Sequence, residues 1–256
     1  MFGSRRSLRL IERNLYVYRH GWMIIISGFF EPLFYLLSIG FGLGRLVGTV
    51  PGPGGNPIPY QLFIAPALLA SSSMNGAITE ATLNFFFKLK YQKTFESILS
   101  TPLSTADIAV GELGWALIRG GLYTAGFLLV MVVLGLAVTP LLALTLPAAL
   151  LISLAFGAVG MAATSFMRTW QDFDLIQLVV LPMFLFSATF YPLDTYPEAI
   201  RLVVQLTPLY QGVDLLRSLA VGVVGPADLI HVVYLTVMGA AGLVVVSRRL
   251  DKLLLR

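Results

Sequence analysis

The chain has 256 residues, of which 57% are hydrophobic and only 12% charged, with a formal net charge of +4. Soluble domains carry roughly a quarter charged residues, so this composition cannot cover a water-facing surface and suits a bilayer instead. Cysteine is absent, which excludes disulfides, thiolate metal sites and a cysteine nucleophile, and the two histidines, His20 and His231, leave little for a catalytic or metal centre.

In chain order, residues 5–20 place Leu8, Ile11, Leu15 and Tyr18 on one helical face with arginines around the rest. That pattern predicts a basic amphipathic helix at the membrane interface, within residues 1–21. The first apolar run begins near Trp22, is too long for a signal-peptide core and lacks a small-residue cleavage site, so it reads as a retained anchor.

A helix needs about 20 mostly apolar residues to cross the hydrocarbon. Six stretches qualify, at about 22–45, 60–87, 110–138, 141–167, 173–191 and 227–247. The fold class expected is therefore an all-α membrane protein with six transmembrane helices, forming a single domain over 1–256. Pro147 and Pro182 fall inside the fourth and fifth spans, where neighbouring groups can satisfy the freed carbonyls. Thr139-Pro140 alone separates spans three and four, which predicts a tight helical hairpin.

Between the spans, Val50 to Pro57 is a Pro/Gly-rich external connector. Residues 88–109 are polar, and within them Thr94 to Ser100 predicts a short helix stopped before Pro102. Phe95, Ile98 and Leu99 share its apolar face. Residues 192–226 are punctuated by Pro192, Pro197 and Pro208 and predict short helices that dip into the outer leaflet and return.

Lysine and arginine set the orientation. With the N-terminus cytoplasmic, the inner segments hold Arg5, Arg6, Arg9, Arg13, Arg19, Lys88, Lys90, Lys93, Arg168, Arg248, Arg249, Lys252 and Arg256, against Arg45, Arg201 and Arg217 outside. The bias favours both termini on the cytoplasmic side. It also separates His20 and His231, the latter read as a residue of the outer rim.

The ordered elements resemble a known family. They are the basic amphipathic start, Glu31-Pro32-Leu33-Phe34-Tyr35-Leu36-Leu37, Phe63-Ile64-Ala65-Pro66-Ala67-Leu68-Leu69, Lys93 to Ser104 with its Thr101-Pro102-Leu103-Ser104, Leu181-Pro182 through Phe190-Tyr191-Pro192-Leu193, and Leu206-Thr207-Pro208-Leu209. Together they resemble the permeases of ABC transporter type 2, nearest the lipooligosaccharide (nodulation-factor) and daunorubicin-type drug exporter permeases. Ala67 and Ser187-Ala188-Thr189 depart from the family, which often has glycine after the proline and Ser-Gly at the second site.

The resemblance implies a bacterial inner-membrane exporter of an amphipathic substrate, such as a glycolipid, lipooligosaccharide or hydrophobic drug. It implies a second permease copy or paralogue and two cytoplasmic ABC ATPase subunits that bind ATP and Mg. The chain carries no G-x-x-x-x-G-K-[ST] phosphate loop of its own. No cofactor, metal, catalytic residue or nucleic-acid partner is expected, and membrane lipids are. The competing reading, an intramembrane lipid-modifying enzyme, would need an acid/base or metal constellation on one membrane face.

Three groups of residues stand out as candidates. The segment Lys93, Thr94, Phe95, Glu96, Ile98, Leu99, Thr101 and Pro102 resembles the family's coupling helix. Its expected role is to insert Phe95, Ile98 and Leu99 into an ATPase groove, with Lys93 and Glu96 fixing register; the alternative is a membrane-surface loop. Glu31, Glu80 and Arg119 are ionisable groups in apolar runs, which are costly there and usually paired. They predict a charge cluster, either a fixed bridge or a gate. Ser72 and Asn75, in a polar stretch of span two, with Phe186, Thr189 and Phe190, are candidates for a substrate path. Small and polar residues equally serve close helix packing.

Overall fold

The computed structural model describes residues 5–18, 30 and 33–255 of the chain. Glu31, His20 and most of the first half of the first expected span lie outside the described residues.

The chain is mostly helical. Helix α1 (Arg5–Tyr18) is followed by α2 (Leu33–Val47), which is π-helical over Leu36–Leu43. The Pro/Gly connector is a small antiparallel hairpin, not a plain loop: β1 (Thr49–Pro51) pairs with β2 (Pro57–Pro59), with Val50 opposite Ile58. Then come α3 (Tyr60–Tyr91), α4 (Thr94–Leu99), α5 (Thr105–Val133), α6 (Thr145–Thr164), α7 (Phe173–Leu185), α8 (Glu198–Leu206), α9 (Pro208–Val221) and α10 (Pro226–Leu254).

Among the described residues, four helices are long and apolar enough to cross a membrane: α3, α5, α10, and α6 together with the 3-10 turn Pro140–Leu144 before it. α3 runs 32 residues, about 48 Å at 1.5 Å per residue. It is the central helix: 78% of its apolar window is buried, against 28% for α10. Leu62 through Ser71 is buried on every side, as a helix that is apolar all round must be. The outer faces of α5 and α10 instead expose Leu129, Val133, Ile230 and Val237, a surface suited to lipid tails.

Helix ends follow local chemistry. Ser104 caps α5: its Oγ accepts from the Asp107 N–H at 3.1 Å, and the Asp107 carboxylate accepts from the Ser104 N–H at 3.1 Å. At the far end Gly135 takes a left-handed φ of 72°, and α5 stops at Val133. The expected two-residue hairpin is thus replaced by a longer turn and the 3-10 segment Pro140–Leu144. The fifth expected span is shorter than read: α7 has 13 residues, about 20 Å of helix. Pro182 is accommodated inside it, and the chain leaves the helical path after Leu185, with Ala188 left-handed at φ 53°.

Small residues let the helices close on one another. A Cβ on Gly242 of α10 would sit 2.7 Å from the carbonyl carbon of Ala158 and 2.8 Å from the Val159 nitrogen on α6. On the other side of α6, Gly160 faces Ala81 and Gly157 faces Leu113. This close backbone approach is how helices associate where lipid removes the usual hydrophobic drive. The segment 192–226 holds the two short helices α8 and α9. α9 is buried among α3, α6 and α10, with Leu209, Val213, Leu216 and Ala220 fully enclosed.

Candidate functional site

The short helix expected within residues 88–109 exists as α4, but its apolar face is turned inward. Lys93 adopts a left-handed φ of 49° and swings α4 sharply off the end of α3. Phe95 is fully buried and stacks obliquely on Phe85 with ring centroids 5.1 Å apart. Ile98 is buried in the same cluster, with Leu10, Leu89, Ile108, Leu113 and Leu250, and Leu99 is half-buried against it. Phe95 and Ile98 therefore belong to this chain's own core and are not offered to a partner. Their apolar face finds its partner within the bundle, where burial of a Phe ring is worth about 1.5–3 kcal/mol. What faces outward is the polar side: Lys93, Glu96, Thr101 and Pro102 are exposed, and Thr94 half-exposed. Lys93 and Glu96 lie 3.9 Å apart as a loose surface pair. The Thr101 Oγ1 donates to the Ile98 carbonyl at 2.6 Å and closes the helix before Pro102.

Directly above α4 lies an ion pair that the sequence reading passed over. Lys88 Nζ and Glu112 Oε2 are 2.5 Å apart, with side-chain exposures of 9% and 4%. Asn14, itself buried, donates to Glu112 Oε1 at 3.3 Å and accepts from Lys88 Nζ at 3.5 Å. The triad joins α1, α3 and α5. The inward stripe of α1 is accordingly Ser7, Leu10 and Asn14, while Leu8 and Leu15 of the expected face are exposed. Gly111 and Gly114 on α5 give α1 its seat: a Cβ on either would meet Leu10 or Ile11 at under 3 Å. The signal was present in Glu112, an acid set among Ile108, Leu113 and Trp115, but a reading that placed Lys88 in a cytoplasmic loop had no reason to pair them.

Further along the helices, Glu80 and Arg119 form the second buried pair, with side chains 4% and 14% exposed. Asn84 donates to the same Glu80 oxygen at 2.7 Å, and Arg119 Nε donates to the Tyr123 hydroxyl at 3.1 Å. Glu80 opens a π-helical turn, Glu80–Asn84. Such a turn inserts a residue and re-aims side chains. Thr164 Oγ1 reaches across from α6 to the Ala81 carbonyl at 3.2 Å within this turn. Among the described residues, Glu80 Oε1 has no hydrogen-bond partner. Glu31, the third residue of the expected cluster, lies outside the described residues.

The expected path residues differ in burial. Ser72 and Asn75 are half-buried on α3, Phe186 is exposed and Thr189 is fully buried. Phe190 packs edge-on against Phe184 at 5.2 Å and its carbonyl accepts from the Tyr60 hydroxyl at 3.3 Å. At the end of the bundle that carries the β1–β2 hairpin, a cavity of about 200 Å³ is lined by the Pro51–Gly55 turn, Asp194, Tyr210, Asp214 and Arg217. Arg217 is buried over the Phe63 ring, 3.8 Å from its centroid, and donates to the carbonyls of Phe63 at 3.2 Å and Ala188 at 2.8 Å. His231 is not a rim residue: it is buried, with Nδ1 2.5 Å from Gln211 Oε1 and Nε2 3.2 Å from Asp214 Oδ2. Between α6 and α7, backbone N–H groups of Arg168 at 2.7 Å and Thr169 at 3.1 Å hold the exposed Asp172 carboxyl below the usual carboxylate range. Among the described residues, no three His, Asp or Glu are grouped to hold a metal ion.

Comparison with known proteins identifies the architecture. A family model described as ABC-2 type transporter matches residues 7–221. Nodulation protein J of Rhizobium leguminosarum bv. viciae is 32% identical over 222 residues, spanning 86% of this chain and 84% of its own length. Nodulation protein J of Rhizobium meliloti is 32% identical over 209 residues, 81% of this chain and 76% of its own. The inner membrane transport permease YadH of Escherichia coli is 26% identical over 189 residues, 72% of this chain and 66% of its own.

Proposed function

This chain belongs to the ABC-2 type transporter family and is a membrane transport permease; from that premise we propose that it forms the pathway and the lever of an exporter whose ATP chemistry resides in a partner. The working complex contains two cytoplasmic ABC ATPase subunits, which bind ATP and Mg, and a second permease copy or paralogue. Each permease crosses the inner membrane six times with both termini cytoplasmic: the four long helices, the first span ending in α2, and α7 completed by the re-entrant pair α8–α9. The substrate is amphipathic, of the glycolipid, lipooligosaccharide or hydrophobic-drug class. The nodulation relatives favour the glycolipid end of that range.

The observation that carries the coupling mechanism is the seating of α4. A lever must be gripped by the machine it moves and must offer a handle to the engine. Phe95 and Ile98 supply the grip inside the cytoplasmic core, and the outward Lys93, Glu96, Thr101 and Pro102 supply the handle. The Lys88–Glu112–Asn14 triad ties α1, α3 and α5 at the same level, so a push on α4 moves them together. ATPase closure then shifts the balance between inward- and outward-open bundles by the difference in its contacts with the two. The Glu80–Arg119 pair, at the π-helical turn of α3, is the joint that breaks or re-forms between them.

Co-purification tests the handle. Glu96→Arg leaves the permease folded, because Glu96 is exposed and its pair with Lys93 is loose, yet it reduces recovery of the ATPase at least tenfold. ATPase recovery equal to wild type would remove α4 as the coupling element.

A further inference from the structure

Both buried ion pairs of α3 stand where that helix is wound too loosely. An α-helix closes each N–H on the carbonyl four residues back, whereas a π-helical turn reaches five back and so holds one residue in excess. Glu80 opens the turn Glu80–Asn84, and Lys88 lies in a second one, Phe87–Tyr91. In the first, the Phe85 N–H reaches the Glu80 carbonyl. In the second, the Gln92 N–H reaches the Phe87 carbonyl at 2.9 Å.

The first turn takes a donor away from a buried carbonyl. With α winding the Phe85 N–H would serve Ala81, and a buried carbonyl without a donor is costly. Ala81 is buried, and the hydroxyl that approaches its carbonyl at 3.2 Å belongs to Thr164 of α6, which is fully enclosed. The same Thr164 Oγ1 lies 2.8 Å from the Gly160 carbonyl of its own helix. A hydroxyl has one proton to donate, so Thr164 serves one of these carbonyls at a time. Gly160 is what lets the two helices come so near, since a Cβ on it would meet the Ala81 Cβ at 3.1 Å. The partners for two windings of α3 are therefore already in place.

We propose that the turn Glu80–Asn84 is a two-state hinge with the Thr164 hydroxyl as its alternating partner. In the π state Thr164 donates to Ala81. In the α state the Phe85 N–H takes the Ala81 carbonyl back and Thr164 turns to Gly160. Passing between them rotates Glu80 relative to Lys88 by up to about 100°, the angle of one helical residue. A push arriving through α4 thereby reaches the Glu80–Arg119 pair and biases one winding over the other. The use of the hinge rests on the reading of the chain as an ATPase-driven permease; its existence does not.

The test deletes Leu83, which lies inside the turn with its side chain exposed, so that the excess residue is gone and the α state is fixed. The full-length chain lacking Leu83 folds and melts no lower than wild type, whereas deletion of the buried Ala70, in the regular part of α3, prevents folding. Thr164→Val lowers the melting temperature of wild type but not of the Leu83 deletion, because the α state asks nothing of Thr164 beyond its own helix. In proteoliposomes the Leu83 deletion still holds the ATPase but does not move a fluorescently labelled glycolipid. A Leu83 deletion that fails to fold, or an equal loss from Thr164→Val in both backgrounds, overturns the hinge. Wild-type transport by the Leu83 deletion overturns its use. Wild type that moves no glycolipid counts against the exporter reading instead, and the melting comparison still decides the hinge.

Discussion

At the scale of single residues, the end of the bundle that carries α4 is organised by buried charge. Lys88 and Glu112 are buried together with Asn14, so neither charge can be removed cheaply. Breaking a buried pair by deleting one partner costs about 3–5 kcal/mol, whereas replacing both with apolar groups is often neutral. Glu112→Leu and Lys88→Met alone should therefore each lower the melting temperature of the purified permease sharply, and the double variant should recover most of the loss. Additive losses in the double variant would show that the two charges do not act as a pair. Sequence reading found Glu80 and Arg119, because each stands in a long apolar run. It missed Lys88, which stands among Lys90 and Lys93 and looks like one more loop cation until α3 is seen to continue to Tyr91. Hydropathy measures a window's average, and a helix that ends in paired charges lies outside what that average reports.

At the scale of elements, the long helices were legible and their terminations were not. Span three was read as 110–138; its start is fixed by the Ser104–Asp107 capping box and its end by Gly135, signals the apolar average overrides. Span five was read as 173–191 from composition, while α7 stops at Leu185, ahead of the left-handed Ala188. For α4 the sequence showed an apolar face but not which body would cover it. That is a tertiary matter, decided by Phe85 standing at contact distance. Packing between elements yields its own prediction. Gly242 meets the α6 backbone, which cannot yield as a side chain can, so Gly242→Ala should destabilise the fold by about 1–3 kcal/mol. Gly42, with nothing within 4 Å of its notional Cβ, is the control, and its alanine variant should be neutral or gain up to about 1 kcal/mol from helix propensity. Chemical or thermal unfolding in detergent measures both, and equal effects would show that the α6–α10 approach is looser than described.

At the scale of the whole molecule, the chain divides into a close-packed centre and an unpartnered periphery. α3, α6 and α9 are enclosed, whereas α7 and the outer faces of α5 and α10 present apolar side chains outward. The membrane assignment was fully legible from composition, because no soluble packing can hide so many apolar residues. The family was legible from ordered motifs, and the match over residues 7–221 establishes it. Of the expected path residues, Ser72, Asn75 and Phe190 are half-buried, Phe186 is exposed and Thr189 is buried, a spread that composition does not reveal.

The central claim is that this permease moves an amphiphile only when an ATPase drives it through α4. Its most direct test is transbilayer movement of a fluorescently labelled glycolipid in proteoliposomes holding the permease and its ATPase. The account predicts movement that requires ATP and Mg and is abolished by Glu96→Arg in permease that remains folded. Movement at the same rate without ATP, or undiminished in Glu96→Arg, would contradict it.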